Sequence, residues 1–349
     1  MKTLIPICII LLIFANGCSD KNNVRPNNNT GRTDSWLVEK SDIIHWNSEL
    51  DKIQSIDTNE FVSVTQSTLN DDDFVFAIQH DGITKVYPVA VLGGHEIDND
   101  SIGDHYYAVT YCPITTSAIC WNREINGKIT QFGVSGKLYR SNLIPYDRNT
   151  GSHWSQMRNL CINGDLIGEE PATELLIETK FSTIKVAYPE ALVLSLHDCE
   201  DGICTRYKST SDLGDPAGGE GNDILVDVRY FGVTKDQEVL LFSFDLFKES
   251  TLVLQTRFKG QNIIMVGNSD LNYYAAFVYI KDSPDETIFS VEDQLPVIMA
   301  DSRGNRYDLF GSILEGPDKG KRLNSPNSYI ANAFAWRDFY NDIKVYEKD

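Results

Sequence analysis

Positive charge is scarce in this sequence. Its 349 residues include 31 lysines and arginines against 50 aspartates and glutamates, which gives a formal net charge of −19. The basic residues are scattered along the chain and form no stripe. Because an acidic surface repels phosphates, we expect no nucleic-acid partner.

Familiar catalytic signatures are also missing. The sequence has no Ser-His-Asp order, no pair of carboxylates at a catalytic spacing and no nucleotide-binding motif, so whether it is an enzyme stays open at this stage. The segment FGVSGKLYRSN (132–142) contains glycines and cations but lacks the Walker spacing. Its basic residues still suggest a region that receives a small anionic ligand. The candidate ligand-binding residues are Lys137 in this segment and Asp147, Arg148 and Trp154 in the segment YDRNTGSHW (146–154) that follows it.

A long apolar run occurs only near the N-terminus. One lysine precedes the run from Leu4 to Ala15, and Gly17 and Cys18 follow it. This pattern predicts a bacterial lipoprotein signal peptide over residues 1–17 and a mature chain that is lipidated at Cys18. Residues 18–38 are polar and Asn-rich, which predicts a disordered tether to a membrane of the cell envelope. A plain secreted protein is the alternative.

Short runs of Val, Ile, Tyr, Phe and Thr between Gly, Asn and Asp predict an α+β fold. We expect mainly antiparallel strands and few short helices, at residues 88–94 and 180–188 and their counterparts. Similar segments recur in the same order, such as YDRNTGSHW (146–154) and ADSRGNRYD (300–308). Recurrence predicts an internal duplication into two similar β-rich lobes. The lobes would be 39–210, with the candidate site, and a degenerate 224–349, joined by an acidic Gly-rich connector at 211–223.

The number of cysteines restricts their pairing. Without Cys8 of the signal and the lipidated Cys18, five remain: Cys112, Cys120, Cys161, Cys199 and Cys204. Five is odd, so at least one has no disulfide partner within the chain. The turn at Asp201-Gly202 predicts a disulfide between Cys199 and Cys204, and a small metal loop with His197 is the alternative.

Reactive side chains are denser in the first lobe, which predicts a single site there. Cys112 lies at the end of a strand pattern, before Pro113 and a Thr-Thr-Ser run. One hypothesis is a soft transition metal, copper or zinc, bound by Cys112 and His95 with support from Asp147. A second is a thiol-dependent enzyme with Cys112 as nucleophile and His95 as base. A third is a non-catalytic interaction or structural module in which Cys112 belongs to the core.

Several motifs carry a family resemblance. The segments HEIDND, TYCPITTSAICWNR, FGVSGKLYRSNLIPYDRNTGSHWSQ and YPEALVLS follow one another in the order seen in the bacterial domain-of-unknown-function family 3179. The chain resembles that family from about residue 70 to its end. Relatives often have Cys-Pro-Leu-Cys after the first cysteine, but here Thr115 takes the second position, which argues against a dithiol redox couple. The resemblance implies how the chain is organised and where its site lies, and it implies no particular activity.

Overall fold

The structure is a computed structural model that describes residues 35–195, 228–279 and 289–348. Its first-half strands are β1 (Ile43–His45), β2 (Phe61–Ser63), β3 (Phe74–His80), β4 (Ile83–Pro88), β5 (Ile97–Ile102), β6 (His105–Cys112), β7 (Ser117–Asn122), β8 (Glu124–Ile125), β9 (Lys128–Ile129), β10 (Phe132–Tyr139), β11 (Asn142–Asp147), β12 (His153–Ser155), β13 (Leu160–Asn163), β14 (Thr173–Glu174), β15 (Ile177–Lys180) and β16 (Leu192–Leu194). Its second-half strands are β17 (Arg229–Lys235), β18 (Glu238–Ser243), β19 (Leu252–Phe258), β20 (Gln261–Asn268), β21 (Tyr273–Tyr279), β22 (Phe289–Gln294), β23 (Val297–Asp301), β24 (Arg306–Tyr307), β25 (Ile313–Glu315), β26 (Ser328–Asn332) and β27 (Asp342–Val345).

The helices within these ranges are short. They are α1 (Val89–His95), α2 (Phe181–Ala187), α3 (Ala333–Phe339) and the 3₁₀ turns Lys40–Asp42 and Phe244–Phe247. No helix in the described part of the chain is long and apolar enough to span a membrane.

The strands form six main sheets and the β8–β9 ribbon. The sheets are A (β1-β10-β11-β12-β13), B (β14-β7-β6-β5), C (β15-β3-β4-β16-β2), D (β26-β17-β18-β27), E (β19-β20-β21) and F (β22-β23-β24-β25). Among the strand pairs that the structure describes, only β4 with β16 and β18 with β27 run parallel. The predicted fold, mainly antiparallel with few short helices, is confirmed.

Four hydrophobic cores lie between these sheets. Core 1, between sheets A and B and sheet D with α3, includes Cys112, Trp121, Trp154, Tyr230 and Trp336. Core 2, between sheet C with α2 and sheets E and F, includes Val75, Phe181, Val266, Met299 and Phe310. Core 3, between sheets B and C, includes Phe76, Tyr87, Tyr107, Tyr111 and Cys120. Core 4, between sheets D and E, includes Phe231, Phe242, Ile263, Met265 and Tyr274.

Sheets B, C, E and D therefore alternate with the four cores in a closed ring. Each of these sheets is covered on both faces, which explains why the central strands β6 and β20 are buried at six consecutive positions rather than at alternate ones. Cores 1 and 2 contain side chains from both halves of the sequence.

The two halves share their strand order. In sheet C, α2 connects β15 to β16, and the corresponding helix in sheet D, α3, connects β26 to β27. The hairpins β6–β7 and β20–β21 both close with four-residue loops, in which Thr116 and Asn272 have left-handed φ angles of 49° and 50°. The duplication itself and the lobe boundaries stay predictions, and the connector at 211–223 lies outside the described residues.

Each of these hairpin loops contacts the strand–helix junction of the other half. The carbonyl of Thr115 accepts a hydrogen bond from the backbone amide of Asn332, where β26 meets α3, at 3.0 Å. The carbonyl of Leu271 accepts a hydrogen bond from the Thr179 hydroxyl, near the start of α2, at 2.9 Å. The two halves are thus joined by reciprocal polar contacts as well as by cores 1 and 2.

A buried ion pair reinforces the second of these contacts. Arg229 Nη1 donates to Glu178 Oε1 at 2.9 Å. The Arg229 side chain is 4% exposed and the Glu178 side chain is 5% exposed. The Asn272 amide also donates to Glu178 Oε1, at 3.2 Å.

We predict that Glu178→Gln lowers the free energy of unfolding by about 3–5 kcal/mol, because it leaves the Arg229 charge buried without its counter-ion. Urea unfolding measures the loss. The control is Asp245→Asn, which removes the pair with Lys248 on side chains that are 68% and 66% exposed, and we expect it to cost less than about 1 kcal/mol. Similar small losses in both variants would contradict the prediction.

Candidate functional site

Cys112 ends β6 at the edge of core 1. Its side chain is 1% exposed, and Sγ donates to the carbonyl of Ser141 at 3.6 Å. Burial raises the pKa of the thiol, and the nearby Glu96 carboxyl raises it further. The sulfur is therefore held as a neutral thiol in apolar surroundings, which is unfavourable for a nucleophilic thiolate.

His95 ends α1, on the chain segment that leads into β5 beside β6. Its Nδ1 lies 2.8 Å from the carbonyl of Gln54, and because a carbonyl only accepts, Nδ1 carries the proton. Nε2 is buried and has no hydrogen-bond partner among the described residues. The next residue, Glu96, is left-handed, and burial raises the pKa of its carboxyl to about 7. His95 thus presents a free lone pair near the end of the strand that carries Cys112.

The hydroxyl groups after Cys112 belong to a closed polar network. The Asn142 amide donates to Thr115 Oγ1 at 3.0 Å and to Gln156 Oε1 at 2.7 Å. Ser117 Oγ donates to Gln156 Oε1 at 2.9 Å, and Gln156 Nε2 donates to Thr110 Oγ1 at 2.9 Å. These groups satisfy one another inside the protein, so the network orders core 1 instead of presenting free donors to a ligand.

Asp147 and Trp154 form a structural loop. The buried Asp147 carboxylate accepts hydrogen bonds from the Thr150 amide at 2.8 Å and from Trp154 Nε1 at 3.2 Å. Asp301 of the second half has the same arrangement, with the Asn305 amide at 2.9 Å and the Tyr307 hydroxyl at 2.7 Å. The structure gives Asp147 and Trp154 roles within the fold, and their predicted ligand roles stay predictions.

The Arg148 side chain is also held by contacts within the protein. Its guanidinium forms an ion pair with Asp57, a second with Asp51 at 3.3 Å and a hydrogen bond to Ser55 Oγ at 2.9 Å. These contacts fasten the segment 51–57 to sheet A and leave the Arg148 charge neutralised. Arg148 and Lys137 therefore do not share one basic surface.

Lys137 instead meets two histidines on sheet A. Its Nζ lies 3.1 Å from His153 Nε2, and the register of β1 with β10 places His45 opposite Lys137. Burial and the charge of the neighbouring Lys137 lower the pKa of His153 to about 4. The imidazole is therefore neutral, and its Nε2 accepts a hydrogen bond from the Lys137 ammonium group. Within the described ranges, no acidic side chain forms an ion pair with Lys137. The sequence did not reveal this cluster, because its members come together only through the sheet register.

The structure places the predicted site residues in separate surroundings. The described part of the chain holds no group of three or more His, Cys, Asp or Glu side chains arranged to hold a metal ion. Cys112, Cys120 and Cys161 are free and buried. The predicted Cys199–Cys204 disulfide, the His197 alternative and the lipidated Cys18 lie outside the described residues.

Burial of the three described thiols predicts slow alkylation. We expect iodoacetamide at about pH 8 to leave Cys112, Cys120 and Cys161 unmodified in the folded protein and to modify all three in concentrated urea. Peptide mass spectrometry measures each site. Cys161 is the matched control in the same core, and a Cys112 that reacts much faster than Cys161 in the folded protein would contradict the prediction and favour a thiol nucleophile.

Comparison with known proteins agrees with the resemblance seen in the motifs. No curated protein and no solved structure matches the chain. A family described as "Protein of unknown function (DUF3179)" matches residues 50–343, which include Cys112, His95, Lys137 and His153 but not His45. The match covers most of the sequence, so the chain belongs to the DUF3179 family.

Proposed function

We propose that this chain is a cell-envelope lipoprotein, anchored to a membrane through an acylated Cys18, whose first half binds a small anionic ligand without transforming it. The observation that carries the proposal is the ammonium group of Lys137, which is hydrogen-bonded to His153 and forms no ion pair with the described acidic residues. The predicted signal peptide over residues 1–17 supports the location.

The electrostatics of Lys137 support an anion as the ligand. Burial lowers the pKa of its ammonium group, which means that removal from water disfavours the charge. One of its protons is directed at His153 Nε2, and two remain for a ligand. His45, on the neighbouring strand, adds a second basic group at the same place. An oxyanion would supply the counter-charge that the described residues do not.

The surroundings of Cys112 support binding rather than catalysis. Its thiol is buried and its pKa is raised. The hydroxyl donors that follow it bond to Asn142 and Gln156. A buried neutral thiol without a base in contact is the expected state of a core cysteine, as in the non-catalytic interpretation of the sequence.

Anion titration of the mature protein tests the proposal, with phosphate, sulfate and acetate as probes. We expect at least one anion to bind and Lys137→Gln to weaken its binding about tenfold, as loss of a charge-assisted contact implies. The bound charge should also raise the pKa of His153, which NMR detects through its imidazole signals.

Lys128→Gln is the matched control, because Lys128 is an exposed lysine of the same half. It should bind the anion as well as the wild type. If no probe shifts the His153 signals, or if Lys128→Gln and Lys137→Gln weaken binding equally, the anion site is refuted.

A soft metal at Cys112 and His95 is the second candidate, and the tautomer of His95 favours it. Metal-binding histidines usually donate their second ring N–H to a carbonyl, as His95 Nδ1 does toward Gln54. Thiolate and imidazole together suit Cu(I) or zinc, and two ligands are sufficient only for a low-coordinate ion such as Cu(I).

Metal analysis of the mature protein tests this candidate. Titration with Cu(I) should give a stoichiometry that falls by one ion in Cys112→Ala and in His95→Ala. Cys161→Ala is the control, because Cys161 is an equally buried cysteine of core 1, with Sγ on the Asn163 carbonyl at 3.5 Å. An unchanged stoichiometry in Cys112→Ala would exclude the metal site.

A further inference from the structure

We infer a second ligand site, separate from Lys137, in a cleft between the β3–β4 turn of the first half and the β24–β25 region of the second. The cleft encloses about 670 Å³. This volume is within the range of pockets that bind small organic molecules. Its walls include residues 79–82, Tyr188, Pro296, Asp308 and Arg322.

Arg322 is fixed in this cleft by both halves of the chain. Its Nε donates to the Phe310 carbonyl at 2.8 Å, and its Nη1 donates to the Gln79 carbonyl at 2.9 Å. The guanidinium also lies over the Phe310 ring, 5.6 Å from its centroid. Two carbonyls occupy two of its five N–H groups, so the side chain is held in one orientation with donors to spare.

Within the described ranges Arg322 forms no ion pair, and the Asp308 and Glu174 carboxylates act on its charge only from a greater distance. The neighbouring arginines Arg303 and Arg306 each form ion pairs with two carboxylates. The Arg322 guanidinium is suited to a carboxylate, which it can bind with two parallel hydrogen bonds.

Tyr188 adds a second polar group to the cleft. Burial raises the pKa of its hydroxyl, and the charge of the neighbouring Asp308 carboxyl and a hydrogen bond to it raise the pKa further. The Tyr188 ring packs against Phe310, 5.3 Å between centroids, which fixes its direction. Tyr188 and Arg322 therefore both pack against the Phe310 ring in the cleft.

The acidic group nearest to Tyr188 is Asp308, which is 1% exposed. Its Oδ1 accepts hydrogen bonds from the amides of Phe310 at 3.0 Å and Ser312 at 2.8 Å. Burial raises the pKa of this carboxyl, whereas these amides and the Arg322 charge lower it. At the mouth, Asp81 is largely exposed to solvent, which screens its charge.

Part of the cleft wall is apolar. Ala187, Pro296, Ile313 and Leu314 line the cleft beside these polar groups. A ligand that matches both surfaces has a compact hydrophobic body and one carboxylate. The ligand is therefore a small amphipathic organic carboxylate, whose acid group contacts Arg322.

Calorimetric titration of the mature full-length chain tests this inference. The probe is 3-phenylpropionate, and its neutral amide is the chemical control. We expect the acid to bind and the amide to bind at least about tenfold more weakly. Arg322→Gln should weaken binding of the acid, because it removes the guanidinium that would contact the carboxylate.

Arg257→Gln is the matched control, because Arg257 is an exposed arginine of β19, away from the cleft. It should leave binding of the acid unchanged. Phenylglyoxal labelling gives an independent measurement: the acid should protect Arg322 and leave Arg257 reactive. Equal binding of acid and amide, no binding of either, or full binding by Arg322→Gln would overturn the inference.

Discussion

The architecture depends on a reciprocal contact between the two halves of the chain. The loop at Thr115 holds the start of α3, and the loop at Leu271 contacts the strand that leads into α2. Because these backbone and hydroxyl groups are buried, each contact satisfies donors and acceptors that would otherwise be costly. In this way a loop of each half contacts the strand–helix unit of the other half. The two halves therefore pack as one body, in which the sheets and cores form a closed ring.

That packing also decides the chemistry of the sulfur atoms. Sheet B is covered on both faces, so a cysteine on either face of it is buried, as Cys112 is in core 1 and Cys120 in core 3. Burial favours the neutral thiol. The polar residues around Cys112 are used to build the core, where Asn142 of β11 and Gln156, directly after β12, connect these segments to β6 and β7. Reactivity would require a local environment that this arrangement does not provide.

Cations without partners are the feature of the surface that is most informative about function. Many basic side chains in the described ranges lie beside carboxylates, as Arg148 does beside Asp51 and Asp57. Lys137 and Arg322 form no ion pair there, and both are oriented by neutral acceptors, His153 in one case and two main-chain carbonyls in the other. An oriented, uncompensated charge loses little entropy when it binds an anion. This shared property underlies both proposed sites.

The sequence by itself determined the strand-rich, mainly antiparallel fold and the family, because short β-branched and aromatic runs and contiguous motifs are local features. It also located the motif segments that contain Asn142 and Gln156, without indicating that their side chains bond to each other. Tertiary structure alone decided which side chains meet. Lys137, His45 and His153 are brought together by sheet register, and Arg322 reaches Gln79 across 243 residues of sequence. Contacts between distant segments depend on how strands pair and sheets pack, which the spacing of residues along one chain does not specify.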